Sequence, residues 1–437
     1  MLPTAGRIAG MTLPTDHPLR VELNDEAHAR PSESLTPPLR LTYVAMYSEP
    51  SQRELEWRHV VELTRRYGVE PPAERSTHYS ADLGPFRLKW ERHSEFTRYK
   101  FMVPGDVDDP FAVPAIAAVP ADWLAALPGQ TLVAIHAALL PAGRTALDMT
   151  DLAARYFAGN VLAGGGIAGG LAVALTDYRI HDGYSRLLVY DRGMTPRQAG
   201  RMVQRLVEIE TYRLLAMLAL PVAQQLSPWL GRAEHELAEV TAQLVDSDEA
   251  AEPVLLERLS RLEAEIENRE SASHYRFSAA AAYYSLVRRR IEELREVRLQ
   301  GLQTFQEFTE RRLEPAMNTC GSVAARIESL SQRVARATQL LSTRVDVSRE
   351  RQNQRVLESM NRRAEAQLRL QQTVEGLSSA AITYYVVGLV GYAAKGLTHF
   401  GLHVPVELVV AGSIPIVAIA VLLGVRHARK KITGATD

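Results

Sequence analysis

Two apolar runs near one end of this chain restrict its fold more than any other feature, because a run of about twenty residues with almost no charge fits few places besides a bilayer. Leu377 to Ala394 reads LSSAAITYYVVGLVGYAA without a charged side chain, and Lys395 to Leu397 complete a first candidate span, residues 377–397. The second, VPVELVVAGSIPIVAIAVLLGV over 404–425, carries only Glu407, near its start. Pro415 inside it would break a soluble helix, but in lipid a neighbouring helix or a local kink re-satisfies the freed carbonyl. The linker KGLTHFGLH is short enough to force a hairpin. Arg362, Arg363 and Arg369 precede the pair, and a basic tail, 426–437, follows with Arg426, Arg429, Lys430 and Lys431, against Lys395 alone in the linker. That asymmetry predicts both termini on the cytoplasmic side. The competing reading, two core helices of a soluble protein, differs in one observable: such helices are buried.

The residues ahead of the hairpin predict a long helix. Ser322 to Glu375 contains neither Pro nor Gly, and Val323, Ile327, Leu330, Val334, Ala337, Leu341 and Val345 step by four and three, the seam of a coiled coil. The register then meets Ser348, Gln352, Val356, Met360, Arg363 and Gln367 before turning apolar at Leu370, Val374 and Leu377. A mixed seam suits a bundle wider than two strands, so a homo-oligomer above the dimer is admissible; packing within one subunit is the alternative. The stalk is placed at 321–376, with only Gly376 between it and the first span. Upstream, 196–320 is helical: Gln198 to Leu220, Arg232 to Val245, Pro253 to Glu270 and Ser271 to Arg312, with breaks at Pro221, Pro228, Pro253 and Pro315.

Residues 1–195 differ in texture. Leu39 to Tyr47, Phe86 to Trp90, Phe96 to Val103, Thr131 to Leu139 and Ser185 to Tyr190 read as strands, with helices at Glu54 to Tyr67 and Ala121 to Leu127, which predicts a mixed α/β domain. FRLKWERHSEFTRYKFMV over 86–103 predicts an antiparallel hairpin. The first twenty residues lack an apolar run of signal-peptide length, so no cleaved secretory signal is expected. The one cysteine, Cys320, excludes an internal disulfide framework and a cysteine-based zinc site. With 50 Lys+Arg against 51 Asp+Glu there is no net field, and the charge runs EAEIENRE and RRRIEELREVR interleave acids with bases, so nucleic acid is not an expected partner.

Three constellations carry polar chemistry. HPLRVELNDEAHARP gathers His17, Arg20, Asn24, Asp25, Glu26, His28 and Arg30, of which His17, Arg20, Asn24, His28 and Arg30 form a candidate polar site for a metal or an anion, though the spacing of the two histidines matches no ligand motif. AGGGIAGG, Ala163 to Gly170, lacks the Lys-Ser/Thr of a P-loop and reads as a close-packed strand or turn. Asp177, Arg179, His181, Asp182 and Arg186 lack a nucleophile at a catalytic spacing and read as a salt-bridged strand end. The sequence specifies no cofactor, no metal and no catalytic set.

HPLRVELNDEAHARP, WERHSEFTRYKF, the stretch from AGGGIAGG to YDRGMTP, and LSSAAITYYVVGLVGYAAKGL together resemble the domain of unknown function 3422 family, from His17 to about Lys431. The resemblance implies a bacterial inner-membrane protein and brings no assigned activity or functional residue. In layout alone, an α/β domain followed by long helices, two spans and a basic tail, the chain is also similar to CorA-type magnesium channels. That likeness implies a pentamer with Ser378, Ser379, Thr383, Tyr384 and Gly388 along a lumen. Where those channels carry Gly-Met-Asn, this sequence has Gly391, Tyr392 and Ala393, and Lys395 follows. The expected function is therefore a homo-oligomeric inner-membrane protein with an ion pathway that lacks that filter; the alternatives are a membrane-anchored scaffold or sensor without transport, and an enzyme domain tethered to the bilayer.

Overall fold

The computed structural model describes residues 16–21, 23–24, 32–74, 76–143, 147–246, 250–399 and 405–433. They divide into two units, Met1–Gln243 with Arg258–Ala337, and Leu244–Glu257 with Thr338–Asp437.

The first unit is built on a nine-stranded sheet. Its strands are β1 (Leu39–Tyr47), β2 (His78–Asp82), β3 (Arg87–Arg92), β4 (Phe96–Pro104), β5 (Gln130–Pro141), β6 (Ala163–Ile167), β7 (Ala172–Thr176), β8 (Ile180–His181) and β9 (Tyr184–Asp191). The order is β2-β3-β4-β1-β5-β9-β7-β6, with β8 paired to β9. Only β5 and β9 run parallel; the other pairs are antiparallel. All five strands expected from the pattern are present, and β3 and β4 form the expected hairpin, with Glu91 opposite Arg98. The pattern missed β2, β7 and β8, which are short and offer little alternation to read.

One face of the sheet is apolar. Val44, Met46, Leu88, Trp90, Tyr99 and Phe101 pack with Val60 and Leu63 of α1 (Arg53–Arg66) and Trp123 of α2 (Ala121–Ala125). A second cluster joins Leu152 and Tyr156 of α3 (Met149–Tyr156) to Val173, Leu175 and Leu188. On the opposite face lies α4 (Pro196–Met217), which opens with a capping box between Thr195 and Gln198 and with Pro196 in its first turn. Gly200 is where α4 meets the chain near Glu33: a Cβ there would collide with the Glu33 carbonyl.

The glycine run is a strand and a turn, as its composition suggested. A side chain at Gly165 would sit 2.9 Å from the Val297 carbonyl and 3.2 Å from the Glu296 carboxylate, because residues 296–303 lie against β6 through Gly166–Val297 and Ala163–Gln303 bridges. This corrects the continuous helix expected over Ser271 to Arg312. The chain instead forms α6 (Glu252–Leu294), leaves the helix at Arg295 with φ 49°, bridges to β6, and resumes as α7 (Phe305–Arg312) under a Thr304/Glu307 capping box. Open backbone of β6 competes successfully with helix propensity there.

One of the expected proline breaks needs correction: helix α5 (Ala219–Asp246) runs through Pro228, whereas Pro221, Pro253 and Pro315 sit in the first turns of α5, of α6 and of α8 (Glu314–His399), where breaks were expected. In a first turn the missing N–H leaves no hydrogen bond unmade. Within this unit α5, α6 and α8 pack side by side. Arg326 of α8 grips Glu234 of α5 at 3.1 and 2.8 Å, and Arg258 of α6 lies 3.7 Å from Glu239 of α5.

That packing changes the meaning of the heptad seam. Val323, Ile327, Leu330, Val334, Ala337, Leu341 and Val345 are all buried within a single chain, so this part of the seam is filled from inside the subunit. In the second unit α8 continues, and beyond Val345 the same register is exposed at Val356, Met360, Leu370, Val374 and Leu377. Arg344 there pairs with Glu252 at 2.7 Å. The unit ends with α9 (Val406–Thr433), apolar along most of its length.

Candidate functional site

The C-terminal part of α8 and α9 are each long and apolar enough to cross a membrane, and little of either is buried: 11% of the most apolar window in the first and 0% in the second. They touch along a narrow face. A Cβ at Gly391 would lie 3.3 Å from the Val410 side chain, so glycine sets a close approach between them. A groove of about 1070 Å³ runs beside this contact, lined among others by Ser379, Thr383, Tyr384, Gly388, Val410 and Ile414.

Of the five residues expected along a lumen, four therefore border that groove; Ser378 is exposed outside it. The hydroxyls of Ser379 and Thr383 donate to the carbonyls of Glu375 and Ser379, each at 2.8 Å, so both protons are used within the helix. Tyr384 and Tyr385 are exposed and meet edge to face.

A second concentration of polar groups lies where β6 begins and β7 ends. Asp177 accepts from Asn160 Nδ2 at 2.9 Å and from the Arg179 backbone N–H at 3.1 Å, and His181 Nε2 lies 2.7 Å from it. The sequence placed Asp177, Arg179 and His181 together; Asn160 is the member it missed, since nothing near it marks a partner seventeen residues away. Tyr178, with φ 54°, stacks on Phe308 at 3.8 Å between ring centroids and has the Arg213 guanidinium 5.5 Å over its ring. Asn160, Asp177, Tyr178, Phe308 and Arg213 border a cleft of about 810 Å³ with Arg179, Gln303 and Arg312. Arg186 points elsewhere, donating to the Tyr156 carbonyl at 2.6 Å.

At the N-terminus, His17 Nδ1 accepts from the Leu19 N–H at 3.2 Å and Arg20 pairs with Asp16; both residues are exposed, as is Asn24. His28 and Arg30 lie outside the described residues. Among the described residues no group of three His, Cys, Asp or Glu could hold a metal ion.

The family described as Protein of unknown function (DUF3422) matches residues 15–432. The chain belongs to that family. No curated protein and no solved structure matches it, so the likeness of layout to CorA-type magnesium channels finds no support there.

The feature that sequence reading missed altogether is a buried layer of charge between the sheet and the helices. Lys89 and Glu91 of β3 and Arg98 and Lys100 of β4 alternate with the apolar face, pointing to the side that α4 covers. Arg98 bonds Glu91 at 2.7 Å and Glu208 of α4 at 3.1 Å; Glu208 bonds Arg290 of α6 at 2.6 Å; Arg205 and Arg290 share Glu293, each at 2.9 Å. Lys89 and Lys100 approach Glu91 at 3.5 and 3.9 Å. Burial alone would raise the Glu91 carboxyl, but Arg98 and then Lys100 outweigh it and hold it at about 2. Burial, reinforced by Arg98, pushes Lys100 down to about 7. Tyr43, whose hydroxyl meets Thr211 at 2.7 Å, is pushed upward by burial.

Proposed function

We propose that this protein is a homo-oligomeric protein of the bacterial inner membrane, anchored by a hairpin of the C-terminal part of α8 with α9, and that it holds its α/β domain at the cytoplasmic surface as a scaffold or sensor. The observation that carries the reading is the exposed apolar surface of both helices: Tyr384 is 78% exposed, Leu408 73% and Ile416 70%. The core helix of a soluble protein would bury such residues, whereas lipid covers them at no cost. The charge asymmetry of the sequence, with basic residues before and after the hairpin, supports cytoplasmic termini.

Association between subunits falls to the membrane-proximal half of α8. Val356, Met360, Leu370 and Val374 stand exposed in heptad register where the upper half of the seam is already filled. A Met360→Lys, Leu370→Lys double variant places two cations in that layer and is expected to lower the mass of the detergent-purified particle; an unchanged mass refutes association through this face.

An ion pathway is the second reading, favoured by the groove that Ser379, Thr383, Tyr384 and Gly388 border. It requires flux in vesicles reconstituted with wild-type protein, reduced by Thr383→Leu with assembly intact. No flux above empty vesicles for common cations and anions removes transport and leaves the anchored scaffold.

Anchoring itself is tested by reporter fusions at Asp437 and after Gly401. A cytoplasmic reporter active at the first and silent at the second fits the hairpin, and activity at both refutes it.

A further inference from the structure

The cleft beside β6 is assembled from four parts of the first unit: the turn ending at Asn160, the loop Asp177 to Arg179, the end of α4 at Arg213, and the end of α7 at Arg312. Its charge is unbalanced. Arg213 is committed to Glu210 through two bonds of 2.9 and 2.6 Å. Asp177, the acid of the cleft, is occupied by Asn160, His181 and the Arg179 N–H. Arg179 and Arg312 both border the space, and among the described residues neither guanidinium has a carboxylate partner.

The backbone around this space is held in conformations that side chains resist. Ala158 and Tyr178 both have positive φ, at 53° and 54°, although neither is glycine. Such residues persist where the surroundings impose them and gather at ligand sites. Asn160 and Gln303 add carboxamides, and Phe308 and Leu313 add an apolar wall. A space of about 810 Å³ is in the range that encloses a small metabolite.

We propose that this cleft binds a phosphate-bearing ligand of nucleotide or sugar-phosphate size, with Arg179 and Arg312 as its anion clamp. Guanidinium groups match phosphate oxygens with paired N–H donors, which is why arginine without an acidic partner at a concave site selects such anions. The glycine run takes no part as a phosphate loop, because Gly165 and Gly166 are covered by Glu296 and Val297. The inference does not depend on the membrane reading.

The test is equilibrium binding to the full chain in phosphatidylcholine nanodiscs, with three probes: inorganic phosphate, adenosine 5′-monophosphate and water-soluble dihexanoyl phosphatidylglycerol. Adenosine serves as the uncharged control. Saturable binding of the monophosphate, displaced by phosphate and absent with adenosine, is the expected result. Arg179→Ala and Arg312→Ala should each weaken it about tenfold, while Arg201→Ala, an exposed arginine of α4 outside the cleft, leaves it unchanged. Binding of dihexanoyl phosphatidylglycerol alone, with the same arginine dependence, supports the clamp and makes a lipid headgroup the source of its phosphate. Dissociation constants weaker than about 1 mM for all three probes overturn the proposal. So does binding that survives the double arginine variant, provided its thermal transition matches the wild type.

Discussion

Glu91 is the residue whose loss the buried charge layer should tolerate least. Its side chain has no solvent exposure, and three cations face it: Arg98 at 2.7 Å, Lys89 at 3.5 Å and Lys100 at 3.9 Å. Glu91→Gln keeps the shape and removes the charge, leaving those cations with Glu208 as the remaining nearby acid. Breaking a buried ion pair from one side costs about 3–5 kcal/mol, because the surviving charge stays desolvated. The companion change has the opposite character. Lys100 is buried and pushed on by Arg98 and Lys89, so Lys100→Met removes a cation that burial already disfavours and is expected to be neutral or stabilising. In the double variant the loss at position 91 should shrink by about 1–2 kcal/mol, the coupling expected of contacting charges. The assay is thermal unfolding of the full chain in detergent, followed by the fluorescence of Trp57, Trp90, Trp123 and Trp229, all in the first unit. A Glu91→Gln variant within about 1 kcal/mol of wild type, or strict additivity with Lys100→Met, refutes the argument that this layer is a coupled network.

The same layer predicts a pH response. Lys100 folds with a value of about 7, below its ordinary 10.5, so between the two the unfolded chain holds more protons and stability rises with pH; Lys100→Met should lack that part of the rise in a series of melts from pH 7 to 10.5. Glu91, held at about 2 against 4.5, acts at the other end: its contribution is complete above 4.5 and is lost as pH falls toward 2, so Glu91→Gln should flatten the acid limb. Gly200→Ala would drive a methyl group into the Glu33 carbonyl and should cost about 1–3 kcal/mol in the same melts; a cost below about 0.5 kcal/mol would show that this segment yields freely.

How far the fold could be read from sequence depended on whether each segment's pattern had one interpretation. The two apolar runs and the strands β1, β4 and β5 were legible, since long periodic segments leave little choice. The break at Arg295 was not, because RRRIEELREVRLQGLQTF is good helix sequence locally and leaves the helix only to pair with backbone at Gly164 and Gly166. Likewise the spacing at Val323 to Val345 announces a seam without saying whose side chains fill it; α5 and α6 do so here, as the Arg326–Glu234 pair records. Proline misled only at Pro228, which lies inside α5; Pro221, Pro253 and Pro315 stand in first turns, where a missing N–H costs nothing, and mark helix starts as expected.

The candidate sites illustrate the same limit. Alternation in FTRYKFMV separates two faces of β4, and on most sheets the charged face is the wet one. Here α4 lies over it, and α4 carries the matching acid, Glu208, inside the stretch Val207 to Tyr212, which is buried residue after residue. The available signal was therefore split between a strand hairpin and a helix more than a hundred residues away, each ordinary by itself. The cleft is similar: Asp177 and Arg179 stand together in the chain, but Asn160 reaches them through the pairing of β6 with β7, and Gln303 and Arg312 because residues 296–303 bridge to β6 and α7 follows directly. The glycines that drew notice as a phosphate loop serve instead to let that bridge approach, and so they build the cleft without lining its anion clamp.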